Sequence, residues 1–97
     1  MAYIPTEPMT KGHQLPELRA VCNTNMDQVV AQTAVPSKVV VGSGMGLEKF
    51  RRVMNENIGA INTALTRTYP LLHSGHTVWD CRVILKAMFD NIGALDT

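Results

Sequence analysis

The chain has 97 residues, 45% of them apolar, and nine Lys and Arg against eight Asp and Glu give a formal charge of +1. A chain of this size buries roughly 65% of the surface its extended form exposes, which supports one modest core and excludes several domains. Near-neutral charge excludes a strong long-range pull toward nucleic acid or an anionic membrane, and no apolar run approaches the roughly 20 residues that a bilayer crossing needs.

Residues 1–16 carry Pro5, Pro8, Gly12 and Pro16 and read as an extended or flexible N-terminal arm, ahead of a single helical domain over 17–97. The first ten residues lack the basic start and apolar run of a signal peptide. Ala2, Tyr3 and Ile4 are the only apolar cluster in the arm, so Tyr3 is its expected anchor on a neighbouring surface. Pro16 suits the first turn of a helix, with Glu17 favourable beside the exposed amides there.

Leu18, Val21 and Cys22 give that first segment one apolar face. Asn23, Thr24 and Asn25 then interrupt it, and Thr24 with Asp27 reads as a weak capping box for a second short helix from Met26 to about Ala34. One broken helix, two short helices and an extended stretch through Val29, Val30 and Val35 all fit the pattern. Pro36 ends this region, and the valines at 39, 40 and 41 predict a minor β-strand near 38–42. A lone strand must find a partner, in this chain or in a second copy.

From Leu47 the periodicity sharpens. Leu47, Phe50, Met54, Ile58, Ile61 and Leu65 recur at three- and four-residue spacing within an arc of roughly 80°, which predicts a helix over 46–68 that Pro70 cannot continue. After a connector through Gly75, Thr77 and Asp80 supply a cap and a first-turn acid for a last helix ending at Gly93. Its stripe is Val78, Cys81, Leu85, Met88, Phe89 and Ile92, while Trp79 and Val83 occupy a second apolar flank. The short connector predicts that the last two helices are antiparallel neighbours closing a mainly α domain.

Four groups of residues are candidate sites. Gly42, Ser43, Gly44 and Gly46 lead into a helix whose first turns carry Lys49, Arg51 and Arg52, an arrangement that can offer bare amides and positive charge to a phosphate. It lacks the third glycine of a dinucleotide motif and the Gly-Lys-Ser/Thr ending of a P-loop. His73, His76, Asp80 and Cys81 are the densest set of metal-ligand types, but their spacing reads better as surface histidines beside a turn, so neither a metal nor another cofactor is expected. Cys22 and Cys81 are too few for a disulfide framework and read as buried thiols of a reducing, cytoplasmic compartment. No nucleophile–base pairing or facing carboxylates support an enzyme.

The fourth group is Trp79 and Val83, which with Val39, Val41 and Tyr3 form the expected protein interface. Large amphipathic rings concentrate at interface centres. The expected function is a non-enzymatic interaction or assembly module, a small structural subunit, adaptor or inhibitor acting as a homodimer or with another protein. The alternative is a small nucleic-acid-associated regulator that contacts phosphates through the glycine-rich loop and the basic helix start.

Overall fold

The computed structural model describes residues 14–42 and 44–93, which fold into three helices: α1 (Leu15–Gln32), α2 (Leu47–Leu65) and α3 (Val78–Gly93). The expected mainly α domain is what forms. Residues 1–13 of the proposed arm, with Tyr3, lie outside the described residues, as does Ser43; Leu15 and Pro16 belong to the first turn of α1.

α1 is continuous where the sequence pattern left a break. Its start is held by the Gln14 amide, which donates to Glu17 Oε1 at 3.0 Å. Thr24 opens no second helix; its hydroxyl donates back to the Ala20 carbonyl at 3.2 Å, so the hydroxyl is satisfied inside one uninterrupted ladder. Leu18, Cys22, Asn25, Met26 and Val29 then share one buried face. The helix ends where the Thr33 amide and hydroxyl both donate to the Val29 carbonyl, at 2.9 and 2.6 Å.

α2 buries Phe50, Val53, Met54, Asn57, Ile58 and Ile61. It stops at Leu65, three residues before the expected end, because Thr66 turns into the left-handed region at φ 54°. The Thr66 and Arg67 amides both donate to the Asn62 carbonyl, closing the helix as a glycine-type cap would. A β-branched residue is strained in that conformation. Thr66→Gly is therefore expected to raise stability by about 1 kcal/mol, seen as a rise in Tm of about 5 °C; a fall in Tm would mean that the threonine side chain is needed there.

α3 starts as expected from Thr77 and Asp80, which cap each other: the Thr77 amide donates to Asp80 Oδ2 at 3.1 Å and the Asp80 amide to Thr77 Oγ1 at 3.2 Å. The domain closes differently from the expected α2–α3 hairpin. α1 makes the principal interhelical contacts, with both α3 and α2, and the direct α2–α3 contact is weaker. The core is one cluster drawn from all three helices together with Val35, Val41 and Leu72 of the connectors.

The expected strand near 38–42 is absent, and no β-strand occurs among the described residues. Side-chain amides have taken over the pairing. Val39 receives both atoms of the Asn57 amide, its N–H donating to Oδ1 at 2.8 Å and its carbonyl accepting from Nδ2 at 3.0 Å. Val41 is held the same way by Asn23 of α1, at 2.8 Å in both directions. On the second connector Asn55 grips Leu72 at 2.6 and 2.8 Å, and Asn62 grips Tyr69 at 2.9 and 3.1 Å. Each asparagine acts as a one-residue strand, satisfying backbone groups that a sheet would otherwise pair.

The positions follow from helix geometry. At about 100° per residue, Asn57 falls on one border of the apolar stripe of α2 and Asn55 and Asn62 on the other. An amide at the border reaches past the core side chains and meets whatever chain lies alongside. The connector through 39–41 thus spans α1 and α2, and the connector through 69–72 runs along the opposite flank of α2.

Candidate functional site

The two flanks expected on α3 are both real. Cys81, Leu85, Met88, Phe89 and Ile92 are buried, while Trp79 is 55% and Val83 40% exposed. Spaced four residues apart, the exposed pair lies on one face of the helix, continued toward its C-terminus by Lys86 and Asp90, whose side chains pair at 2.6 Å. Trp79 does not project freely: the Arg82 guanidinium carbon lies 5.4 Å from its ring centroid, and Arg82 itself is buried. A largely buried cation against one ring face limits the motion of the indole and leaves its remaining surface outward. Arg82 had no sequence signal beyond its three-residue spacing from Trp79.

On the first connector the expected interface valines divide unexpectedly. Val41 is only 3% exposed and belongs to the core, so it cannot serve as an outward contact; Asn23 holds it down. Val40, outside the expected interface set, is 58% exposed and Val39 40%. Leu71, on the second connector, is also exposed.

The glycine-rich loop does not gather its basic residues. The Arg51 guanidinium turns to the second connector and donates to the His76 carbonyl at 2.8 Å, while Arg52 pairs with Glu48 on the surface at 3.5 Å. Lys49 is exposed, as are Gly44 and Gly46, with Gly46 at the N-terminus of α2. The Gly42 carbonyl accepts from the Met45 amide at 3.2 Å, and the Met45 carbonyl accepts from Arg19 Nη1 at 2.5 Å. A groove of about 270 Å³ lies beside this loop, lined by Pro16, Arg19, Ala20, Asn23 and Val41, with Arg19 and Asn23 already bonded to the chain itself.

His73 and His76 form a local turn, in which the His73 amide donates to His76 Nδ1 at 2.9 Å and the rings stand 5.3 Å apart. Asp80 is committed to capping Thr77, and among the described residues no three His, Cys, Asp or Glu side chains converge as metal ligands would. Cys22 and Cys81 are free, buried thiols. Burial pushes the Cys22 thiol up, with a further rise from Cys81 nearby across the α1–α3 contact. Burial also raises Cys81, partly opposed by the positive charge of Arg51. Thiols held protonated in this way are poor nucleophiles.

Among the described residues no helix is long and apolar enough to cross a membrane. No family model, curated protein or solved structure matches this chain.

Proposed function

We propose that this protein is a non-enzymatic, self-associating contact module of the cytoplasm, and that the Trp79–Val83 face of α3 is its principal contact surface. The supporting observation is a half-exposed tryptophan stacked against a buried arginine. An exposed indole loses favourable burial unless a partner covers it, and a ring already restrained gives up little entropy on binding. Val83 extends the apolar centre, and Lys86 and Asp90 supply a polar rim, the usual anatomy of a protein contact. Two free, buried thiols support a reducing compartment. The phosphate-binding alternative loses support because Arg51 is bonded to the His76 carbonyl and Arg52 faces the acidic Glu48 in the first turn of the same helix.

Trp79 is the sole tryptophan in the chain, so its emission reports directly on this face. Raising protein concentration is expected to shift that emission to the blue together with an increase in mass by light scattering. Trp79→Ala should weaken the association by about 30-fold, or roughly 2 kcal/mol, as loss of a hot-spot residue does. Identical mass–concentration curves for the wild type and Trp79→Ala would remove α3 as the contact surface.

A further inference from the structure

The segment through Val40 has a second edge. In an extended chain the N–H and C=O of one residue point to the same side, and those of its neighbour to the opposite side. Asn57 and Asn23 take both backbone groups of Val39 and of Val41, two residues apart, and so occupy one edge. The N–H and C=O of Val40 then face away from the helices and have no hydrogen-bond partner among the described residues. Val40 is also the most exposed valine of the run, at 58%. Pro36 falls on the same outward parity, where its missing N–H is tolerated, as on the free edge of a sheet.

We infer that residues 38–42 pair antiparallel with the same segment of a second copy, the Val40 N–H of each chain donating to the Val40 carbonyl of the other. An exposed backbone edge recruits an extended strand, and several features of this one suit a second copy. Centred on Val40, the pairing sets valine against valine. Each Lys38 stands opposite the other chain's Gly42, where no side chain obstructs it, and the two ammonium groups stay at opposite ends. Each Lys38 also keeps its own counter-charge, Asp27 at 2.5 Å. A shift of two residues would bring Pro36 into the ladder without a donor and the two lysines closer together. The self-association proposed above thereby gains a second surface, distinct from α3.

Two separate two-fold surfaces on one chain build assemblies larger than a dimer. Light scattering up to about 1 mM, a range suited to a contact this small, reads the consequence. The wild type is expected to exceed dimer mass, Trp79→Ala to stop at the strand-linked dimer, and Val40→Lys, which opposes two charges across the two-fold, to stop at the α3-linked dimer. Because a substitution can disturb the segment itself, residue-resolved amide exchange of the wild type provides an independent reading. The Val40 amide should become at least tenfold better protected as concentration rises, while the Val39 and Val41 amides, already bonded to asparagines, stay protected throughout. A wild-type mass unchanged by Val40→Lys, a monomer at all concentrations, or Val40 exchange independent of concentration overturns the pairing. Loss of association in Trp79→Ala alone would overturn the pairing too, yet leave the α3 surface standing.

Discussion

Asn57→Ala is expected to lower the unfolding free energy by about 2–3 kcal/mol, a large share of the stability of a domain this size. Asn57 is buried in α2, and both atoms of its amide are spent on Val39. Removing them leaves one backbone donor and one acceptor without partners, each worth about 1–3 kcal/mol when buried and less at the half-exposed Val39. Alanine recovers roughly 0.6 kcal/mol of helix propensity, so the measured loss is a net value. Asn57→Asp should not rescue stability, since it keeps the acceptor, deletes the donor and buries a carboxylate. The comparison is Asn91→Ala on exposed α3 surface, where the amide only accepts from the Tyr69 hydroxyl at 2.7 Å and the expected loss is about 0.5 kcal/mol. Urea unfolding of the three variants decides the matter: equal losses at 57 and 91 would mean that the clamp on the first connector adds nothing to the fold.

Stability should also fall steeply in alkali. The folded state holds the Cys22 and Cys81 thiols protonated above their ordinary value of 9.0, chiefly because burial disfavours the thiolate. Below that value both states are protonated and the thiols leave stability independent of pH. Above it the unfolded chain releases protons that the folded chain retains, so the unfolded state is favoured by about 1.4 kcal/mol per pH unit for each thiol, until the folded-state value is reached. Tyr69, raised above 10.0 by burial with a smaller opposing effect of Arg67, adds to the decline at higher pH. Thermal melts under reductant should show Tm falling steadily between about pH 9 and pH 11, with a shallower slope for Cys22→Ala. A flat Tm over that range would contradict two thiols buried against the α1–α3 contact.

The alkaline response and one of the four asparagine clamps share a structural origin. Both come from how α1 packs: through Cys22 toward α3 and through Asn23 toward the connector that also lies on α2. α1, whose own apolar pattern is the least regular of the three, therefore holds the domain together.

The sequence by itself determined the helices that carry strong periodicity. The stripe of α2, the Thr77–Asp80 start of α3, the placement of Pro16 in a first turn and the outward Trp79–Val83 flank are all set by residues within a few positions of one another, which is the range over which helical spacing and capping act. Two local signals misled. Asn23, Thr24 and Asn25 read as a break because such side chains compete for nearby backbone, and the valine run read as a strand because β-branched residues favour extended chain. The backbone groups of Val39 and Val41 are paired, but with asparagine side chains rather than with a strand.

Only the tertiary structure decided which asparagines face which carbonyls, which valine is buried and which helix closes the core. Asn23 and Val41, Asn57 and Val39, Asn55 and Leu72 are 17 or 18 residues apart, and no periodic rule links positions at that distance. A trace was present in the sequence: all six asparagines lie on helices they disfavour, three of them bordering the stripe of α2. A residue placed against its own propensity is held there by a bond made elsewhere, and only the folded chain shows with what.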